Sequence, residues 1–273
     1  MAVKTFYWDP VDRTRRFSIP RRGKLRVGNA GDLFNRDLVR FLYDDEPDNL
    51  TDIGGRLLLV GSVIHRALPG DIVCGVGTKG RELPAVTEGP SDIRAVRGPL
   101  TMRALDEAGY DTSNVTSQLD PGLAVESIYA KTCAETQAEA GRVIFIPHYR
   151  DLPLFRRRRE FSLVSIDCEP EDLVREILRA EFVYPSSLHG LIFAHALGRP
   201  VKLVAPVNGE PELKYQDYFA SVDLPWSTPV SIDEALREPR LGSPVHIQKT
   251  LDDFAFPTRA ELVERGIASA SSA

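Results

Sequence analysis

Short β-rich runs alternate with amphipathic helical windows along most of this chain, and that alternation restricts the fold more than any single motif. KTFYWD at 4–9 precedes GDLFNRDLVRFLYD at 31–44; RLLLVGS at 56–62 and DIVCGVG at 71–77 follow closely; IRAVRG at 93–98 runs into PLTMRALDEAG. Strands separated by helices build parallel sheets, because a parallel neighbour is reached by a crossover and not by a tight hairpin. A polar helical stretch at 124–141 interrupts the pattern. It resumes with RVIFIPHY at 142–149, SLVSID at 162–167, helical EPEDLVREILRAE at 169–181, FVYPS at 182–186, apolar helical LHGLIFAHALG at 188–198 and PVKLV at 200–204. Helical windows return at 231–238 and about 245–268, and IASASSA at 267–273 reads as a frayed end.

At 273 residues the chain exceeds the usual single domain. The expectation is an α/β protein of two Rossmann-like lobes facing a central cleft: 1–135, 136–245, then a C-terminal helix and tail at 246–273. Such sheets bind ligands beyond the carboxyl ends of their strands. The turns that leave those strands are therefore where function is sought.

The most informative turn is PSSLHG at 185–190. Ser186 or Ser187 can cap the helix that follows, and His189 and Gly190 fall in its first turn. Free backbone amides and the helix dipole favour an anion there, and His189 can add a charge-assisted hydrogen bond or act as a general acid. A histidine that only caps the turn fits the same letters. His195, six residues on, reads as a core histidine. In AVRGPLT, Arg97 ends a strand and Pro99 suits the first position of a helix, so the planar guanidinium is offered to a phosphate or carboxylate. In VGNAGD, the small residues Gly28 and Gly31 admit a ligand to the backbone, and Asn29 and Asp32 serve as hydroxyl ligands or caps, with capping preferred for Asp32. IPHYRD sets His148 and Arg150 on the rim of the second lobe.

Other features are read as structural or are excluded. GVGTKG at 75–80 matches GxGxxG but lacks the helix that would cradle a pyrophosphate, since RELPAVTEG follows. RRRR at 156–159 reads as a solvated face. A net charge of −5 argues against a nucleic-acid partner bound through a general basic field. Cys74, Cys133 and Cys168 are odd in number and scattered, as buried thiols of a reducing compartment would be. No HExxH, paired CxxC, strand-end DxD or GxSxG occurs, so no metal site is expected. MAVKTFYWDP has no signal-peptide core, and the apolar runs are shorter than a bilayer requires, which points to the cytoplasm.

Taken together, GNAGD at 28–32, GS at 61–62, AVRGPLT at 95–101, LDPGLA at 119–124, IPHYRD at 146–151 and SSLHGLIFAHALGRP at 186–200 give a chain that resembles the polysaccharide pyruvyl transferase family over most of 27–205. The resemblance implies a compact relative of the glycosyltransferase B-type fold. It implies transfer of the pyruvyl group of phosphoenolpyruvate onto two hydroxyls of a sugar as a cyclic ketal, with no tightly bound cofactor beyond that co-substrate. The acceptor would be a polysaccharide or lipid-linked oligosaccharide of the cell envelope, which brings in peripheral association with the inner face of the membrane. It assigns the donor to Arg97, His148, Arg150, Ser186, Ser187, Leu188, His189 and Gly190, with His189 and Arg97 catalytic, and the acceptor to Asn29, Gly31, Asp32 and Ser62. Asp32, Asp120 and His148 are its candidates for the base; Asp120 can instead cap its DPG turn. Many members carry Arg where this chain has Ser187, so Arg150 or the amides of Leu188 and His189 are expected to supply that contact. A sugar-nucleotide glycosyltransferase and a sugar-binding protein without catalysis are the competing readings.

Overall fold

The computed structural model describes residues 1–11, 25–86, 91–238 and 245–270. Among the described residues nine strands form two parallel sheets. The first contains β1 (Ala2–Thr5), β2 (Glu46–Asn49), β3 (Leu57–Leu58), β4 (Ile72–Cys74), β5 (Asp92–Val96) and β6 (Ser117–Gln118), ordered β2-β1-β3-β4-β5-β6. The second contains β7 (Val143–Ile146), β8 (Ser162–Leu163) and β9 (Phe182–Pro185), ordered β8-β7-β9. A parallel bridge from Val183 to Val201 continues it by one position. The sequence gives no strand at β2, whose residues EPDN are polar and include Pro47. It is an edge strand, where proline is tolerated.

The helices are α1 (Ala30–Tyr43), α2 (Pro99–Glu107), α3 (Val125–Ile128), α4 (Ala130–Glu135), α5 (Leu152–Phe155), α6 (Pro170–Arg179), α7 (Leu188–Ala196), α8 (Leu213–Ser221), α9 (Ile232–Ala235) and α10 (Arg259–Glu264). The stretch at 124–141 is thus two short helices, and the C-terminal window shortens to α10 with a single turn at Leu251–Asp253 before it. Ile267 and Ala268, placed in the frayed end by sequence, are buried, and the Lys4 amide donates to the Ile267 carbonyl at 2.9 Å. Residues 271–273 lie outside the described residues.

Period-two patterning assigns the strand faces to different cores. Leu57, Ile72, Ile144, Ile146 and Val183 point into one large cluster; Leu58, Val73 and Ile93 join a second, and Val143, Phe145 and Phe182 a third. The large cluster draws α1, α6 and α7 between the sheets, with the rings of Phe34 and Phe193 at 5.2 Å. The sheets share this core, so they are not separately cored lobes. Its central position explains why α7 is apolar on every side: all nine of its residues are buried.

The strand orders also locate the site. From β1 the chain moves outward to β2 and then back past β1 to β3; from β7 it moves to β8 and then to the other side at β9. Each reversal opens a crevice at the carboxyl ends of the strands it separates.

Candidate active site

Both reversals open onto one cavity of about 240 Å³. Phe6 and Trp8 follow β1, Ser62 and Val63 follow β3, and Lys79 and Arg81 follow β4. From the second sheet come His148, Tyr149 and Arg150 after β7, and Ser187, Leu188 and His189 after β9. Asn29 and Asp32 enter from the start of α1, Glu210 and Lys214 from the start of α8. Five basic side chains on this wall, Arg66, Lys79, Arg81, Arg150 and Lys214, face two acidic ones, Asp32 and Glu210. The excess of positive charge favours an anion.

At its inner end stand Asp32 and His189, with Asp120 behind them. The His189 side chain packs against the first turn of α1, so close that a Cβ on Gly31 would fall 1.9 Å from Nδ1. Gly31 therefore makes room for the imidazole and is not itself on the cavity wall. Nε2 of His189 and Oδ2 of Asp120 are both enclosed without hydrogen-bond partners, 3.9 Å apart. The other Asp120 oxygen accepts from the Gly122 amide at 2.8 Å, the capping role allowed by the DPG turn. Burial, then the charges of Arg97 and Lys214, push the His189 pKa down to about 3, so the imidazole is neutral near pH 7. Burial raises the carboxyl of Asp32 to about 7 against the pull of Lys214 and Lys79, and that of Asp120 to about 6 against Arg97. Two carboxyls that titrate near neutral pH thus stand beside an uncharged imidazole at one end of the cavity.

Caps fall differently from the expectation at one turn. Asn29, not Asp32, caps α1, accepting from the Gly31 amide at 3.0 Å, which frees the Asp32 carboxyl for the cavity. Ser187 caps α7 by accepting from the Gly190 amide at 3.1 Å. Ser186 instead accepts from the His148 amide at 2.9 Å and ties the β9 turn to the β7 turn. His195 is a core residue, buried with Nδ1 at 3.0 Å from the Tyr218 hydroxyl.

Arg97 is fully buried and lies behind the wall. Its Nε donates to Asp217 at 3.0 Å, Nη1 to the Ser62 hydroxyl at 2.8 Å, and Nη2 to the Thr78 carbonyl. Asp217 belongs to α8 and also accepts from the Leu100 amide at 2.9 Å, the Thr101 amide at 3.0 Å and the Thr101 hydroxyl at 2.6 Å. It caps α2 from a distant helix, a role that Gly98 at the N-cap position cannot fill. Gly98 also gives α8 room: a Cβ there would meet the Asp217 carbonyl at 2.2 Å. The RGP turn is thus the seat on which α8 docks. Lys214 stands one helical turn before Asp217, and Lys79 directly follows Thr78, whose amide donates to Thr101 at 2.9 Å. Through this network Arg97 sets the positions of Ser62, Lys79 and Lys214.

The basic wall was not legible in the sequence. Lys214 is buried beside Glu210, with Nζ donating to Oε1 at 3.0 Å, and Lys79 Nζ is 3.6 Å from the same oxygen. His148 presents Nε2 to the other oxygen at 3.6 Å, while its Nδ1 accepts from Asn208 at 2.8 Å. Burial lowers the Lys214 ammonium to about 8 despite Glu210. Arg150 is on the rim, its Nε donating to the Tyr149 hydroxyl at 3.0 Å.

Residues 75–80 run from β4 into Lys79 and Arg81, and no helix forms over the described residues 81–86. In RRRR, Arg158 pairs with Asp233 at 2.8 Å and with Glu160 at 2.9 Å, while Arg156, Arg157 and Arg159 are exposed. Among the described residues no cluster of His, Cys, Asp and Glu could hold a metal ion, and no helix is long and apolar enough to cross a membrane.

Residues 72–206 match the polysaccharide pyruvyl transferase family. An uncharacterized protein of Acanthamoeba polyphaga mimivirus is 30% identical over 210 residues, covering 70% of this chain and 70% of its own. No solved structure matches.

Proposed function

Because the chain belongs to the polysaccharide pyruvyl transferase family, we propose that it moves the pyruvyl group of phosphoenolpyruvate onto two hydroxyls of one sugar, forming a cyclic ketal and releasing phosphate. The observation that carries this reading is the sharing of one cavity by a basic wall and a buried acid–base cluster. A donor bearing both phosphate and carboxylate uses the first. Addition of a hydroxyl across its enol double bond needs one proton delivered and another removed, which uses the second.

In this mechanism Asp32, protonated near neutrality by burial, gives its proton to the methylene carbon of the donor. The neighbouring carbon becomes electrophilic and a first sugar hydroxyl attacks it, losing its proton to the neutral imidazole of His189. The resulting imidazolium faces the unpartnered oxygen of Asp120, a charge placed to stabilise it. The second hydroxyl attacks the same carbon as the bond to the phosphate oxygen breaks. Its proton restores Asp32, and the proton on His189 leaves with the phosphate.

This reverses the expectation that His189 is the acid, because desolvation next to Arg97 and Lys214 keeps the imidazole uncharged until it accepts a proton. Amides of Leu188 and His189, at the start of α7, face the donor carboxylate in place of the arginine absent at Ser187. Asn29, Ser62 and the half-buried Trp8 line the acceptor side. Arg97 acts as a positioning residue through Ser62 and the lysines. In this reading the two sheets, joined through one core, take the part of the Rossmann-like halves of a glycosyltransferase B-type fold, and an acceptor carried on a lipid would bring the protein to the inner face of the membrane.

Calorimetric titration with phosphoenolpyruvate and, separately, with sugar nucleotides tests the reading, followed by phosphate release on addition of glycan acceptors. Binding and acceptor-dependent phosphate release from phosphoenolpyruvate are expected; heat from sugar nucleotides alone would overturn it.

A further inference from the structure

One ion cluster in the cavity has the form of an occupied anion site. The Glu210 carboxylate is nearly enclosed, and both of its oxygens face positive or proton-donating groups from three separate elements: Lys214 of α8 at 3.0 Å, Lys79 of the β4 loop at 3.6 Å, and Nε2 of His148 after β7 at 3.6 Å. The same wall adds Arg150. Two ammonium groups on one carboxylate at the edge of an open cavity carry one positive charge more than that carboxylate neutralises. A lysine 6% exposed is costly to desolvate, and one internal carboxylate offsets that cost only in part, which is the physical sense of its depressed basicity.

Glu210 follows an exposed turn held at one point. Val207 is 62% exposed, Gly209 has a φ of +72°, and the turn is latched through Asp151, whose Oδ2 accepts from the Val207 amide and the Asn208 side chain at 2.9 Å each. Lys214 is anchored independently of that turn by the docking of α8 through Asp217, whereas the His148 backbone is held by its amide on Ser186 and its ring also accepts from Asn208 of the turn. Withdrawal of Glu210 alone would leave the Lys214 ammonium in place.

We propose that Lys79, Lys214 and His148 form the subsite for a phosphoryl group, and that the Glu210 carboxylate is its resident stand-in, displaced when that group arrives. With the donor's carboxylate on the amides at the start of α7, its phosphate would take this subsite; this assignment of ligand rests on the pyruvyl-transfer reading.

Titration of the purified full chain with inorganic phosphate tests the subsite without donor, acceptor or turnover. Lys214→Met and, at a more exposed position less prone to misfolding, Lys79→Ala are each expected to weaken phosphate binding about tenfold or more, as loss of a charge-assisted contact does. Glu210→Gln is expected to tighten it. In the unaltered protein phosphate is expected to speed hydrogen exchange at the Val207 amide as the turn is released. Lysine variants that bind phosphate as the parent does, a Glu210→Gln that binds more weakly, or slower exchange at Val207 would each overturn the proposal. Turnover of phosphoenolpyruvate with undiminished phosphate affinity in Lys214→Met would sink the subsite and spare the function; absent turnover with the expected affinity changes would do the reverse.

Discussion

Two arginines are wholly buried near opposite ends of the six-stranded sheet, and their hydrogen bonds differ. Arg56 stands before β3 and distributes its guanidinium over both oxygens of Asp71 and the carbonyls of Leu50, Thr51 and Arg66. Every N–H is used, within a loop crossing of fifteen residues to Asp71. Arg97 stands after β5 at the cavity end, with three partners for five N–H groups, one of them 120 residues away on α8. Burial alone does not separate a structural arginine from a functional one. What its partners go on to hold does: Asp71 holds a loop, whereas Asp217, Ser62 and Thr78 hold the cavity wall.

That contrast is open to attack by substitution. Arg56→Leu leaves Asp71 buried and unpaired and is expected to cost about 3–5 kcal/mol of stability, read by denaturant unfolding, with kcat per folded molecule unchanged. A fall in kcat would dissolve the distinction. At the other end, His189→Gln is expected to lower kcat about 10²–10³-fold, the range for removal of a general base, with a Tm close to that of the parent; parental turnover would remove His189 from the mechanism. Arg97→Lys keeps the charge and loses the fork, and about a tenfold fall in kcat/KM is expected, together with about 1–2 kcal/mol of stability. If only stability falls, Arg97 belongs with Arg56.

The smallest effect is one of pH. Burial lifts the Asp32 carboxyl to about 7 in the folded chain, from the 3.8 usual for an exposed aspartate. The folded state therefore binds the extra proton, and stability declines as pH rises from about 4 through about 7. Asp32→Asn lacks that decline, so its Tm is expected to match the parent at pH 4 and exceed it by at least about 2–4 °C at pH 8. Equal Tm values at both pH would show the carboxyl to be solvated.

The sequence made the strand-end turns legible because each carries local punctuation: Pro99 and Gly98, Asn29 and Gly31, Pro185 and Ser187. It did not reveal that Asn29 rather than Asp32 does the capping, since both residue types cap and only the approach of His189 settles which side chain is free. It missed Lys214, Asp217 and Glu210 altogether. EPELKYQDYF reads as an ordinary helix start, and contacts across more than a hundred residues leave no periodicity. One signal was available: a glycine at the N-cap of α2, where Ser, Asp or Asn would be usual, says that the capping oxygen comes from elsewhere. The polar edge strand β2 escaped for the opposite reason, being held by its neighbour's backbone and not by an apolar pattern.

The cap that Asp217 lends to α2 also has a dimension in time. At about 5–20 residues per second of synthesis, a partner 120 residues downstream emerges roughly 6–24 s after Arg97. Through that interval the nascent first sheet carries an unpaired guanidinium and an uncapped helix beneath an unfinished cavity. The wall closes only when α8 has left the ribosome, so ligand-binding competence waits on the synthesis of α8.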